Sequence, residues 1–275
     1  MNPFSWNSKI VVLGAGDRGT ATALRLFNSG LQPVLIECNH PTDLHYNRNF
    51  SDVVYREKKI IENVQAASIM VGPSGDDWRK QVEESFANRV IPVLNIPGNQ
   101  EQDLLIRLQP EILVDCARRL PKTPELGWQD FPCVIRIGFK FNVGVDGHFV
   151  IGDNDQYCGM VFQTRHDMIP DITGTDDVYK APIEGLFQTE KRIGDAVMER
   201  EKIGMINSIN ILAPSSGFLN GLLHSGHFIS TGQPLFELVP ARKFRDSGSI
   251  LPVRSRTIAG GILEAVLKHL YQIHR

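Results

Sequence analysis

Three glycines at the end of one short apolar run constrain this chain more than any other feature. Ile10-Val11-Val12-Leu13 is apolar and largely β-branched, which predicts a buried strand. It runs straight into Gly14-Ala15-Gly16-Asp17-Arg18-Gly19, and helical spacing follows at Ala21, Leu24 and Leu26. Gly30 stops that helix, and Pro33-Val34-Leu35-Ile36-Glu37 predicts a second buried strand tipped by an acid. Strand, glycine turn, helix and acid-tipped strand in this order make a dinucleotide-binding fingerprint. Gly14 permits the tight turn, Gly16 lets main chain approach a pyrophosphate, and Gly19 lets the helix lie close to the sheet. Phosphates would rest at the helix N-terminus, where N–H groups without helical partners and the helix dipole favour negative charge. Glu37 stands 23 residues after Gly14, near the spacing at which an acid bonds a ribose 2′-hydroxyl.

Further runs continue the pattern. Arg48 to Tyr55 predicts a short crossover helix capped by Ser51, and Ile60 to Val64 a brief strand. Val90 to Asn95 and Ile112 to Cys116 predict sheet strands, with a helix over Glu101 to Leu108 that ends before Pro110. The alternation argues for a parallel sheet whose ligands lie beyond the carboxyl ends of its strands. Asp115 falls on that edge and joins Gly14, Ala15, Gly16, Asp17, Arg18, Gly19 and Glu37 as a candidate cofactor-binding residue, with a helix cap or turn as its competing role. Cys38, Cys116, Cys133 and Cys158 form no CxxC pair and read as small buried fillers, with no base nearby to activate a thiol. No metal site is expected. Free thiols fit a reducing cytoplasm. Met1 to Ser8 lacks the apolar core of a signal peptide. No apolar run approaches the roughly 18 residues of a membrane span. A net charge of −2 offers nucleic acid and anionic membranes no general attraction.

From Pro132 onward helical periodicity gives way to short β-rich runs, Cys133 to Ile137, His148 to Ile151 and Gly159 to Phe162. Between them Gly152-Asp153-Asn154-Asp155 lacks the terminal glutamate of a calcium loop and reads as a solvated turn. A repeat follows. Ala181-Pro182-Ile183-Glu184-Gly185 recurs 32 residues later as Ala213-Pro214-Ser215-Ser216-Gly217. At the same offset Gly194 meets Gly226, Val197 meets Ile229, Ile203 meets Leu235 and Ile206 meets Leu238. Two such halves resemble the biotinyl/lipoyl-type barrel-sandwich hybrid. The turn that would carry its prosthetic arm, Met205 to Asn210, has no lysine, so covalent biotin or lipoate is rejected. Arg242, Lys243, Arg245, Arg254 and Arg256 precede a helix through Ile262, Val266 and Leu270, where Gly260-Gly261 either docks an anion or packs closely on the sheet. The expected fold class is therefore α/β, a Rossmann-like parallel-sheet domain over 1–131 followed by a β-rich domain over 132–275 that holds the barrel-sandwich repeat (180–240) and a C-terminal helix.

Several stretches together resemble one family, the accessory proteins of selenium-dependent molybdenum hydroxylase systems. They are Leu13-Gly14-Ala15-Gly16-Asp17, Arg48-Asn49-Phe50-Ser51 with Val54-Tyr55, Ile112-Leu113-Val114-Asp115, Ala181 to Gly185, Ile193-Gly194-Asp195 and Ile258 to Glu264. They stand in the family's order. The chain departs from the pattern at Gly138-Phe139-Lys140-Phe141, Gln156-Tyr157-Cys158-Gly159 and Val239-Pro240-Ala241-Arg242. The resemblance implies an accessory or biosynthetic protein that binds a nucleotide, or the nucleotide part of a molybdopterin cofactor, and that docks a molybdenum hydroxylase client. A second reading is an NAD-dependent oxidoreductase acting on a small metabolite, in which Glu37 disfavours the 2′-phosphate of NADP. It lacks a recognisable general acid. His40 and His45 follow the second strand but read first as loop histidines. A structural adaptor with a vestigial nucleotide fold is the third. The ligand is expected to be NAD or another dinucleotide.

Overall fold

The computed structural model describes residues 10–72, 77–97, 100–117, 128–138, 140–163, 178–241, 244 and 250–273. It divides into two compact units. The first comprises Met1–Asn39, Asn49–Thr173 and Ile250–Arg275, and the second His40–Arg48 and Gly174–Ser249.

The first unit opens with β1 (Ile10–Leu13), α1 (Asp17–Asn28) and β2 (Pro33–Cys38), then α2 (Val53–Arg56), β3 (Lys58–Ile61), β4 (Val64–Met70) and α3 (Asp77–Ala87). It continues through β5 (Val90–Ile96), α4 (Glu101–Leu108), β6 (Ile112–Asp115), β7 (Cys133–Ile137), β8 (Phe149–Ile151) and β9 (Val161–Phe162). These strands form one nine-stranded sheet in the order β3-β4-β5-β2-β1-β6-β7-β8-β9. Neighbours from β4 to β8 run parallel, and β3 and β9 close the edges antiparallel. Strand alternation divides the apolar side chains between two faces. Ile10, Val12, Leu35, Val93, Ile112 and Ile135 pack with Leu24 and Leu26 of α1 and with Ile258, Ile262 and Val266 of the last helix, α5 (Val253–Ile273). Val11, Leu13, Val34, Ile36, Leu94 and Leu113 pack with Trp78 and Val82 of α3 and Leu104, Leu105 and Leu108 of α4. The strand order reverses direction at β1, between β2 and β6, and ligand crevices of open α/β sheets lie at such a point.

The expected brief strand over Ile60 to Val64 is instead a hairpin turn. Glu62 and Asn63 both have positive φ, 48° and 64°, the mirror-turn geometry whose twist suits antiparallel strands such as β3 and β4.

The second unit holds two four-stranded antiparallel sheets. Its strands are β10 (Val178–Lys180), β11 (Gly185–Gln188), β12 (Ala196–Val197), β13 (Lys202–Ile206), β14 (Ile209–Leu212), β15 (Gly217–Leu222), β16 (His227–Ile229) and β17 (Pro234–Val239). The sheets run β10-β17-β15-β12 and β14-β13-β11-β16. A shift of 32 residues carries β10–β13 onto β14–β17, and the same shift turns the first strand order into the second. The sequence repeat is thus an internal two-fold in which each half gives strands alternately to both sheets. Val197, Ile203 and Ile206 and their counterparts Ile229, Leu235 and Leu238 all lie in one core, which also takes in Leu44.

The expected fold class is corrected by this topology. The protein is a mixed α/β protein with one large mixed sheet and two antiparallel sheets, not a Rossmann domain followed by a barrel-sandwich. The run at Cys133 does not open a new β-rich fold. Its alternating apolar residues pair with β6 in parallel register, Ile112 opposite Cys133, and extend the large sheet.

Candidate functional site

The glycine turn lies where β1 meets α1, at the carboxyl edge of the first unit's sheet. Gly14 turns with φ +83°, and its N–H donates to the Ile36 carbonyl at 2.9 Å. A Cβ on Gly19 would stand 1.7 Å from the Gly14 carbonyl oxygen, so only glycine lets the first turn of α1 lie this close to the strand end. Gly16 is the N-cap residue and gives α1 no side-chain cap. Thr20 secures the turn, its N–H donating to the Gly16 carbonyl at 2.8 Å and its hydroxyl to the Ala15 carbonyl at 2.7 Å.

Glu37 reaches this turn. Its carboxylate accepts the Ala15 N–H at 2.7 Å and the Cys38 N–H at 2.9 Å, so main chain fixes it on the α1 side of the sheet. Asp17 accepts from the Asn49 side chain at 3.1 Å, and Asn49 is fully buried. Arg18 donates to Asp153 at 3.1 Å. The Tyr55 phenol stands close enough to Glu37 to feel its charge. Burial first, then Cys38, Glu37 and Asp52, raises its pKa, so it stays a protonated donor.

Asp115 does not join this group. It shares a face with Leu113, opposite to that of Glu37 and Leu35, and is bonded to Arg136. Arg136 also donates from Nε to the Asp146 carbonyl at 3.0 Å and lies over the Phe141 ring. Both side chains are almost completely buried. Gly14, Ala15, Gly16, Asp17, Arg18, Gly19 and Glu37 therefore stand together, and Asp115 serves a buried ion pair on the other face.

Burial pushes the thiols of Cys116 and Cys133 up to about 12, which keeps them protonated. His40 and His45 belong to the second unit. His45 Nε2 lies 2.6 Å from Glu237, and the ring of His40 meets that of His227 edge-on at 5.8 Å. Arg254 lies 3.9 Å from Asp155, and Arg256 lies 2.5 Å from Glu62. Gly261 serves close packing, since a Cβ there would stand 2.1 Å from the Gly159 carbonyl oxygen. Arg242, Lys243 and Arg245 lie outside the described residues. Among the described residues no group of three or more His, Cys, Asp or Glu side chains could hold a metal ion, and no helix is long and apolar enough to cross a membrane.

Sequence reasoning missed Asn49, Arg136 and Asp153. The turn expected to be solvated in fact buries Asp153 and Asn154, each 8% exposed. A cluster of turn formers reports the bend but not which of its side chains points inward.

No family model matches the chain. It is similar to the Uncharacterized protein YqeB of Escherichia coli (strain K12), 29% identical over an alignment of 279 residues that covers 98% of this chain and 49% of that protein. The chain thus spans about half the length of the curated relative it matches. Among solved structures it matches an aspartoacylase family protein from Mesorhizobium loti at 10% identity and a TM-score of 0.23, covering 81% of this chain and 66% of the other. It also matches a succinylglutamate desuccinylase/aspartoacylase from Rhodobacter sphaeroides at 10% identity and a TM-score of 0.25, covering 78% and 59%. Likeness at that level carries no activity over to this chain. These findings nevertheless correct the family expectation. The proteins matched are described as aspartoacylase-family proteins or as uncharacterized, and none points to a molybdenum hydroxylase system, to selenium or to a nicotinamide-dependent oxidoreductase. Neither the accessory role nor the oxidoreductase reading stands.

Proposed function

We propose that the first unit is a binding site for a small molecule carrying a ribonucleoside diphosphate, the class to which dinucleotides belong. One observation carries the reading: the Glu37 carboxylate, held by the Ala15 and Cys38 N–H groups, stands beside the N-terminus of a helix without a side-chain cap. A carboxylate fixed in this way accepts hydrogen bonds from ribose hydroxyls. The helix N-terminus offers N–H groups and the positive end of a dipole to phosphate. Since Glu37 already takes the Ala15 N–H, the diphosphate falls to the first turn of α1, ahead of the Thr20 N–H that bonds the Gly16 carbonyl. A 2′-phosphate would meet the charge of Glu37, so ligands with a free 2′-hydroxyl are favoured. The net charge of −2 and four free cysteines support a protein that keeps to small ligands rather than nucleic acid and works in the cytoplasm.

Thermal unfolding with ADP, CDP, ADP-ribose, NAD and NADP tests the reading. A ligand at a hundredfold excess over its dissociation constant stabilises the fold by about 2.7 kcal/mol. Gly16 has φ −65° and ψ −170°, which a β-branched residue also adopts, so Gly16→Val should fold and lose that stabilisation because its side chain fills the approach to the turn. Glu37→Ala should bind more weakly and lose discrimination against NADP. Full binding by Gly16→Val would remove the diphosphate from the turn.

A further inference from the structure

Asp153 is a buried carboxylate paired with the first turn of α1. It stands in the turn between β8 and β9, 8% exposed, and its carboxylate accepts from the Arg18 guanidinium at 3.1 Å. That turn is tightly framed. The Gly152 N–H donates to the Met160 carbonyl at 2.9 Å, the Gly159 N–H to the Gly152 carbonyl at 2.9 Å, and the Tyr157 N–H to the Asn154 side chain at 2.9 Å. Its floor is Gly138, with φ +103°, where a Cβ would come within 3.1 Å of the Asp153 carboxylate. Glycine at 138 thus suits both its positive φ and the close approach of this carboxylate. A buried carboxylate is costly unless it has a cationic or hydrogen-bonding partner. Arg18 is that partner, and it sits in the first turn of α1 beside Gly16.

A guanidinium has five N–H donors in a planar fork, and the bond from one terminal nitrogen to Asp153 leaves the rest of the fork able to meet an anion. The Arg18 side chain is a quarter exposed, so an anion at the helix N-terminus can reach it. Left alone, a long arginine would sample many rotamers and lose that freedom on binding. A rigid carboxylate removes the cost beforehand.

We infer that Asp153 is a positioning residue that holds the Arg18 guanidinium over the N-terminal turn of α1, where it binds the phosphate of the ligand. The inference rests on the ribonucleoside diphosphate reading for the ligand as a whole, but the phosphate contact can be tested without the nucleoside.

Calorimetric titration of the whole protein with ADP, adenosine and inorganic pyrophosphate separates the possibilities. Asp153→Asn should weaken ADP and pyrophosphate about tenfold, the scale of one charge-assisted hydrogen bond, and leave adenosine unchanged. Arg18→Gln should lose at least as much for the same two probes, and adding Asp153→Asn to it should bring no further loss, because the two residues act in series. A purely structural tie between α1 and the turn predicts otherwise: lower melting temperature with the ADP-to-adenosine affinity ratio intact. That result, or additive losses, would overturn the inference. Should Asp153→Asn fold poorly, Arg18→Lys keeps the charge but not the fork and should also narrow the ADP-to-adenosine ratio. Pyrophosphate binding that depends on Asp153, without any nucleotide preference, would leave the inference standing and sink the ribonucleoside reading. Failure of wild-type protein to bind pyrophosphate or ADP would sink both.

Discussion

The two units gather polar side chains in different ways. In the first, parallel strands all end on one edge, so Glu37, the glycine turn and Asp115 arrive there by topology alone. In the second, a duplicated half-unit builds two equivalent sheets, and the two copies have diverged position by position. Glu237 on β17 pairs with His45, whereas the equivalent position 32 residues earlier is Met205. Phe218 on β15 stacks on Phe244 at 4.7 Å, whereas its counterpart Leu186 on β11 is 40% exposed. Parallel topology concentrates chemistry at an edge from the outset. Duplication starts with two identical faces, and the faces differ only after substitutions such as that at Glu237.

The edge of the first unit should therefore be the more costly place to lose a charge. Asp115→Ala leaves Arg136 buried without its carboxylate and should destabilise by about 3–5 kcal/mol. Urea unfolding measures this directly. A loss below about 1 kcal/mol would mean that the Asp146 carbonyl and the Phe141 ring suffice for Arg136, and that the edge tolerates rearrangement as a surface would.

In the second unit the corresponding change is smaller. Glu237→Gln weakens a partly exposed pair and should cost about 1.5–3 kcal/mol, the range for hydrogen bonds to charged groups. Met205→Ala, at the equivalent position, removes a half-buried side chain with no such bond and should cost less than Glu237→Gln. Equal costs would show that the two faces have not diverged energetically, and the contrast between the copies would fail.

What the sequence disclosed follows the range of the interactions involved. The glycine turn, β2 and α1 were legible because strand, turn and helix are set by neighbours in the chain. The repeat was legible because buried positions such as Ile203 and Leu235 recur at a constant offset. The place of Cys133 to Ile137 was not, since alternating apolar residues suit a strand in either kind of sheet and only the pairing with β6 decides. Within the site, Glu37 was found from its spacing and does reach the turn. Asp115 was placed on the right edge but not on the right face, because which face a strand-end residue takes depends on where its neighbours pack. Asp153 and Arg136 were hidden for a related reason: Arg136 meets Asp115 only through the register of β7 on β6, Asp153 meets Arg18 only where a turn approaches α1, and no local pattern encodes either contact. The family resemblance rested on short motifs, and none of the proteins matched is described as part of a molybdenum hydroxylase system.

The smallest expected effect is one of pH, and it separates the units by their histidines. In the first, His148 accepts the Val134 N–H at Nδ1, 2.9 Å away, so protonation there would remove the acceptor. His269 on α5 is near enough to feel its charge, and its Nε2 is buried without a hydrogen-bond partner among the described residues. Burial lowers both from the ordinary value of 6.5, as it does for His227 in the second unit, where the His224 and Pro41 carbonyls partly offset it. A base whose pKa is lower in the folded state takes up protons first when unfolded. Stability is then complete above about pH 6.5 and declines as the pH falls below it, until the folded histidines also protonate. Urea midpoints at about pH 7.5 and about pH 5.5, on either side of the ordinary histidine value, should show this decline. Combining His148→Asn with His269→Gln should flatten it more than His227→Gln does, because the first pair removes two half-buried rings that feel each other's charge, one of them a main-chain acceptor. If His227→Gln flattens the decline most, the acid-sensitive part of the molecule is the duplicated unit, and the large sheet is the more robust of the two to proton uptake.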